Sequence, residues 1–325
     1  MLYARLILMR LLKAAIVLLM IIVFNFVLIQ LAPGDPASIL AGEAGAADEA
    51  FIAQLREQFG LDQPMYVQLW QYVSGIATLD FGYSYRQQMP VLDLILDRLP
   101  ATLLLTGTAF VLSLGLGILA GSMAAMRVKK ASGSLIMALA LVFYATPLFW
   151  VALMAVVLFS VYLDWLPAYG MFTVGANLDG LAFAWDVAKH LVLPATTLGL
   201  FFMAIYTRMT RTSMLDAAQQ DFVKTAKAKG LHPRLIQRRH ILRNALLPII
   251  TLAGLQAGQM VGGAILTETV FAWPGIGRLM YEALMQRDYN LLLGIFFFSS
   301  ALVIAFNIIT DLVYRLADPR IKGAA

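Results

Sequence analysis

Six long apolar stretches divide this chain, and they constrain its fold more than any other feature. Their approximate limits are residues 11–31, 101–126, 134–163, 191–212, 246–272 and 291–316. Each offers about 20 or more residues, enough to cross a hydrocarbon core of roughly 30 Å as a helix. The chain is 61% hydrophobic and 13% charged, whereas soluble domains average roughly 45–50% and about 25%. The sequence predicts an all-α polytopic membrane protein with six transmembrane helices.

The distribution of positive charge predicts the orientation of these helices. If the N-terminus is cytoplasmic, 18 of the 24 Lys and Arg residues fall in cytoplasmic segments. That bias favours both termini inside, and an even number of spans agrees with it. The same bias explains the basic composition, so we expect a lipid bilayer and no nucleic acid as partner. The first apolar run exceeds a signal-peptide core, so we expect an uncleaved first helix.

The loops suggest three regions. Residues 1–31 hold the N-terminal segment and first span, residues 32–100 form an external loop region, and residues 101–325 form a five-helix core. Within the external region, Glu49–Phe59 has the pattern of a short amphipathic helix. Within the core, residues 213–245 form a cytoplasmic loop that carries seven of the 24 Lys and Arg residues, more than any other loop.

Several catalytic classes lack their signatures. The chain contains no Gly-Lys pair and therefore no phosphate-binding P-loop, and it has no cysteine. His190, His232 and His240 lack metal-ligand spacing. We therefore expect no catalytic residue, metal or cofactor in this chain. An intramembrane enzyme would need paired catalytic groups in the spans, and a secondary transporter would need acids at mid-membrane; neither pattern is present.

The cytoplasmic loop contains a predicted short helix from Asp221 to Gly230. Asp221 favours the N-terminus of this helix, and Gly230 can adopt the left-handed conformation that ends it. Ala226 and Ala228 keep parts of its surface thin, so another backbone can approach. The composition leaves two interpretations open: a helix that lies on anionic lipid, and a helix that docks into a groove of a partner.

Motifs along the whole chain resemble one family. Asp221–Gly230 followed by His240–Pro248 resembles the "EAA" loop of permeases from binding-protein-dependent ABC importers, in the dipeptide, oligopeptide and nickel branch. Further matching motifs lie at residues 31–36, 59–64, 208–214, 265–277, 287–289 and 318–320. Asp221 and Phe222 depart from the Glu and Tyr that are usual in this family.

This resemblance implies a type I ABC importer permease fold and a set of partners. Asp221, Thr225, Ala226, Lys227, Ala228 and Gly230 would form the coupling helix. The implied partners are a second homologous permease in a heterodimer, two ATP-binding subunits that use ATP and Mg²⁺, and an external substrate-binding protein. The cargo would be dipeptides or short oligopeptides. Nickel, haem or a peptide-like antibiotic stay open as alternatives.

Polar residues in the fifth span are candidates for the translocation pathway. Gln256, Gln259 and Glu268 are costly in lipid, so we expect them to face the bundle or the pathway. Gly254, Gly258 and Gly262 recur four residues apart, and such a stripe permits close packing of another helix. Pure packing and a pathway role both remain open for this span.

Overall fold

Helices dominate the computed structural model, which describes residues 2–31, 37, 38, 41, 48–58 and 60–317. Its helices are α1 (Leu2–Leu31), α2 (Glu49–Gln58), α3 (Met65–Ala77), α4 (Val91–Met126), α5 (Ala131–Ala145), α6 (Leu148–Ala155), α7 (Gly180–Ala218), α8 (Asp221–Ala228), α9 (Pro233–Leu235), α10 (Arg243–Val270), α11 (Ile276–Gln286) and α12 (Tyr289–Ala317). Two π-helical segments, Val156–Tyr162 and Ile236–Leu242, continue α6 and α9. A two-residue hairpin pairs β1 (Tyr83–Ser84) with β2 (Met89–Pro90). The all-α class and the helix at Glu49 are confirmed.

Long apolar helices account for most of the predicted spans. Among the described residues, four helices are long and apolar enough to cross a membrane. They are Val91–Met126, Gly180–Ala218, Pro233–Met260 and Tyr289–Thr310. The apolar part of α1, Leu12–Leu28, is shorter. The count of six spans and the cytoplasmic termini therefore stay predictions.

The third apolar stretch is bent, where the sequence predicted a single transmembrane helix. Ala131–Ala145 and Leu148–Tyr162 meet at an angle of 101°. Thr146 between them has an extended backbone (φ −84°, ψ 133°). Pro147 explains this, because a residue before proline is pushed out of the helical region. The pair counts as a fifth span only if both halves form one broken span.

The chain divides into two compact units. One contains Met1–Leu99 and Leu279–Leu302, and the other contains Pro100–Arg278 and Val303–Ala325. Each unit thus joins segments that are distant in sequence. The division into residues 1–31, 32–100 and 101–325 was based on the loops alone, and it stays a prediction.

The first unit is held by contacts to the beginning of α12. The hydroxyl of Tyr72 donates to the carbonyl of Leu293 at 2.9 Å. The ring of Phe81 packs against two phenylalanine rings of α12, with centroid distances of 5.2 and 5.1 Å. Ser84 donates a hydrogen bond to the buried carboxyl of Asp288. Burial raises the pKa of Asp288, and the hydrogen bond from Ser84 opposes that rise.

The second unit is organised around α7, which buries more residues than any other described helix of that unit. Two glycines of α4 allow α7 to approach closely. A Cβ at Gly117 would lie 2.4 Å from the Cβ of Tyr206, and one at Gly121 would lie 2.5 Å from the carbonyl oxygen of Thr207. Small residues four apart permit this backbone approach in membrane helices. α5, α6 and α10 also pack against α7.

The glycine stripe of α10 serves helix packing at two of its three positions. A Cβ at Gly254 would lie 1.7 Å from the Thr310 side chain, and one at Gly258 would lie 3.0 Å from Val303. Nothing lies within 4 Å of the corresponding position at Gly262. The close contact with the second half of α12 therefore depends on Gly254 in particular.

We predict that Gly254→Ala destabilises the protein while Gly262→Ala does not. The new methyl at residue 254 overlaps the Thr310 side chain, and such overpacking costs typically about 1–3 kcal/mol. At residue 262 the methyl enters open space, where alanine is the better helix former by roughly 1 kcal/mol. Thermal unfolding of the two variants in detergent measures the difference. Equal unfolding temperatures would show that the Gly254 contact carries no stability.

Candidate coupling site

Helix α8 is short, and its N-terminus is only weakly fixed. Gln220 is the N-cap residue and makes no side-chain capping hydrogen bond. Asp221, in the first turn, accepts a 2.8 Å hydrogen bond from the Lys224 ammonium. Both side chains are largely exposed, at 92% and 75%. An exposed pair of this kind contributes at most about 1 kcal/mol, so other contacts must hold the helix.

The C-terminus of α8 is fixed by a Schellman motif at Gly230. The Gly230 N–H donates to the carbonyl of Lys227 at 2.9 Å, and the Leu231 N–H donates to the carbonyl of Ala226 at 3.3 Å. Gly230 has a φ of +73°, the left-handed conformation that glycine adopts without a Cβ penalty. The predicted left-handed end of this helix is confirmed.

One face of α8 packs on the chain's own core. Val223 and Ala226 are buried, and they cluster with Met214 of α7 and with Ile236 and Ile241 of the second π-helical segment. This differs from the expectation that both alanines leave the helix surface thin for a partner. Ala226 is covered by its own chain because it lies three residues after Val223, on the same face. Ala228 is the exposed alanine.

The opposite face of α8 is exposed. Its exposed residues among the predicted coupling set are Asp221, Thr225, Lys227, Ala228 and Gly230. Phe222 is also 36% exposed. In the sequence, Phe222 stands out only as a departure from tyrosine, but aromatic side chains are frequent anchors at protein interfaces.

After the turn at Gly230, a helical path leads from Pro233 to the fifth span. His232 caps α9 by accepting a hydrogen bond from the Arg234 N–H at 3.3 Å, and Pro233 occupies the first helical position. The π-helical segment Ile236–Leu242 follows and runs directly into α10. The chain is therefore helical from Pro233 to Val270, with π geometry near the start. A displacement of α8 has a short route to α10.

The two glutamines of α10 lie in different environments. Gln256 is buried, and its Oε1 has no hydrogen-bond partner among the described residues. Gln259 is exposed. Glu268 lies 12 residues beyond Gln256, about 18 Å along the helix. The structure therefore does not bring the three predicted pathway residues into one site.

Glu268 is fully buried in a hydrogen-bonded corner at the end of α10. Its Oε1 accepts a 2.7 Å hydrogen bond from the Thr102 hydroxyl, and its Oε2 accepts one from the Arg278 N–H at 3.0 Å. The Thr102 oxygen in turn accepts from the Ile276 N–H at 2.8 Å. The Trp273 indole donates to the carbonyl of Ala101 at 2.8 Å. The corner fixes the start of the apolar part of α4 against the α10–α11 turn.

Sequence reasoning identified Glu268 but not its partners. Thr102 lies 166 residues away, and no spacing rule connects the two. The glycine at residue 275 was the only local hint: a Cβ there would lie 2.2 Å from the Glu268 carboxyl carbon, so a larger residue would displace the carboxyl group. Within the described part of the chain, no three His, Asp or Glu residues cluster as a metal site requires.

Two family descriptions together cover almost the whole chain. Residues 117–323 match the binding-protein-dependent transport system inner membrane component. Residues 3–106 match the N-terminal region of membrane components from the same transport systems.

Curated relatives match over nearly their full lengths. The dipeptide transport system permease protein DppB of Alkalihalophilus pseudofirmus is 38% identical over 327 residues, covering 96% of this chain and 98% of that protein. The di/tripeptide transport system permease protein DppB of Pseudomonas aeruginosa is 37% identical, covering 92% and 93%. DppB of Escherichia coli K12 is 37% identical, covering 93% and 94%.

A solved structure matches the fold. The MetNI methionine ABC transporter, in inward-facing conformations, aligns with a TM-score of 0.56 at 16% identity. The alignment covers 69% of this chain and 96% of that one. With these matches, the chain belongs to the family of binding-protein-dependent transport system inner membrane components, which are the permease subunits of ABC importers.

Proposed function

We propose that this permease moves dipeptides or short oligopeptides across the inner membrane and that α8 couples it to ATPase subunits. The cargo is inferred from the relatives, which are named as dipeptide and di/tripeptide permeases. The coupling role follows the geometry of α8. One face of this helix is packed on its own chain, and the other presents polar residues and Phe222 to a partner.

The observation that carries the coupling role is the fixed C-terminus of α8. A helix of eight residues is too short to persist alone. Here Gly230 closes it and Leu231 packs into the same cluster as Ala226, so the helix is preformed. A preformed element loses little conformational entropy when a groove receives it. A push on it passes through the π-helical segment to α10.

The proposed assembly contains several partners. This permease and a second, homologous permease would form a heterodimer, each supplying half of the pathway. Two ATP-binding subunits would bind ATP and Mg²⁺ and hydrolyse the nucleotide, since this sequence has no P-loop. An external substrate-binding protein would deliver the peptide to the region 32–100.

We predict that Gly230→Val uncouples ATP hydrolysis from transport, whereas Gly230→Asn retains most coupling. Nothing lies within 4 Å of a Cβ at this position, so the effect is one of backbone conformation. At φ +73°, valine is strained by about 1–2 kcal/mol or more, while asparagine visits this region readily. The measurements are peptide uptake and peptide-stimulated ATPase activity in proteoliposomes of the assembled transporter.

The pair of variants separates coupling from assembly. Both substitutions add a side chain of similar size at an exposed position, and only valine resists the required φ. Wild-type coupling in Gly230→Val, with the complex intact, would exclude the proposed role of the Schellman motif.

Substrate class is tested by complementation. Cells that lack this permease but retain its partner subunits should regain uptake of radiolabelled dipeptides and tripeptides when the gene is restored. We expect strong competition by unlabelled short peptides and none by nickel or haem. Restoration of nickel or haem uptake alone would contradict a peptide cargo.

For Glu268 we propose a positioning role at the end of α10 and not direct contact with cargo. Its side chain is 0% exposed, and its two oxygens are both occupied by donors from the chain. This arrangement holds the end of α10 against α4 while the opposite end of α10 receives motion from α8.

We predict that Glu268→Gln lowers stability and leaves the ranking of peptide substrates unchanged. An amide has one acceptor oxygen and one NH2 group in place of the two carboxylate oxygens. Either the Thr102 hydroxyl or the Arg278 N–H therefore faces the NH2 group, which is itself a donor. A buried unsatisfied donor costs about 1–3 kcal/mol. Thermal unfolding measures this loss, and Glu57→Gln on the exposed surface of α2 is the matched control. A changed peptide preference without loss of stability would place Glu268 in the pathway instead.

A further inference from the structure

A second site lies beside the segments that support α8. A cavity of about 740 Å³ opens between the C-terminal part of α4, the end of α7 and the segment that contains α9. No residue of α8 lines it, and none of the predicted pathway residues does. The cavity therefore requires an explanation of its own.

One wall of this cavity is apolar. It is formed by α4 through Ile118, Leu119, Met123 and Met126. These residues extend over about 12 Å of helix, at 1.5 Å per residue. Leu119 is 62% exposed and Met126 is 49% exposed. In a chain that spans a membrane, such a surface is suited to hydrocarbon.

The part of the cavity that the α9 segment lines is cationic, and we call it the rim. Arg234 and Arg238 line it, and His232 lies beside them. Neither guanidinium forms an ion pair with a carboxylate of the described residues. Along the sequence, no Asp or Glu occurs between Asp221 and Glu268. The charge at this rim is left for a ligand outside the chain.

The position of the rim matches the end of a span. Met126 is the last residue of α4, and Arg127, Lys129 and Lys130 follow it directly. The cationic groups therefore lie where a transmembrane helix leaves the hydrocarbon region and the lipid headgroups begin. Basic pockets between helices at this level bind anionic headgroups.

We propose that this cavity binds one anionic phospholipid, with its phosphate at Arg234 and Arg238 and an acyl chain along α4. A soluble phosphate would leave the apolar wall uncovered, and a zwitterionic lipid would leave the guanidinium charges without compensation. The site adjoins the cluster of Ile236 and Ile241 that supports α8. A bound lipid would therefore stiffen the support of the coupling helix.

The test uses the assembled transporter, purified in detergent and examined by native mass spectrometry. Palmitoyl-oleoyl phosphatidylglycerol is the probe, and the matching phosphatidylethanolamine is the zwitterionic comparison. We expect retention of phosphatidylglycerol in preference. Arg234→Gln with Arg238→Gln should reduce that retention by roughly fivefold for each arginine. Both side chains are exposed, so the buried core stays intact.

Arg239→Gln with Arg243→Gln is the matched control. These arginines carry the same charge on the same segment but do not line the cavity. This pair should retain phosphatidylglycerol at the wild-type level. An equal loss in both double variants would show diffuse attraction to the membrane and overturn the site.

Two further arms test the apolar half. Met123→Gln keeps both arginines and should weaken retention of phosphatidylglycerol, since it places an amide against the acyl chain. Glycerol 3-phosphate, which has the headgroup charge without chains, should not displace the lipid. Displacement of the lipid by glycerol 3-phosphate would overturn the proposed lipid, and so would unchanged retention of phosphatidylglycerol in Met123→Gln. Equal retention of phosphatidylglycerol and phosphatidylethanolamine by the wild-type transporter would also overturn it.

Discussion

Backbone hydrogen bonding in a medium without water is the constraint on which this architecture depends. Within hydrocarbon, each N–H and C=O must be satisfied inside the chain, and helices do this residue by residue. The described chain meets that requirement with long helices that tolerate Pro100, Pro194 and Pro248 in their interiors. Where the third apolar stretch breaks at Pro147, the chain turns by 101° and begins a new helix.

Once helices are fixed as the elements, their approach is set by small residues. Burial of apolar surface gives little net drive between helices surrounded by lipid, so close packing matters more. Gly117 and Gly121 bring α4 against α7, and Gly254 brings α10 against α12. The polar corner at Glu268 adds direction to this packing, because its hydrogen bonds specify which part of α4 faces the turn after α10.

The sequence was sufficient for elements that depend on neighbouring residues. The apolar runs predicted most of the long helices, the pattern at Glu49 predicted α2, and Gly230 predicted a left-handed helix end. It was insufficient where distant segments meet. The Thr102–Glu268 hydrogen bond, the inward face at Ala226 and the grouping of residues 279–302 with the N-terminal unit all depend on tertiary packing. The bend at Pro147 lies between these cases, since a proline favours a break but the length of the apolar stretch predicted a single helix.

The two ends of α10 are held by different interactions, hydrogen bonds at one end and aliphatic packing at the other. This difference bears on the proposed function. At the Glu268 end, directional hydrogen bonds in a buried corner resist displacement, because any movement leaves donors unpaired. At the Arg243 end, the support is aliphatic packing around Ile241, which tolerates small sliding without breaking a specific bond. Near that end, Arg234 and Arg238 have no carboxylate partner among the described residues, which makes this end sensitive to anionic ligands outside the chain. A coupling device needs a fixed point and a responsive point, and the cluster beneath α8 meets the second requirement while the Glu268 corner meets the first.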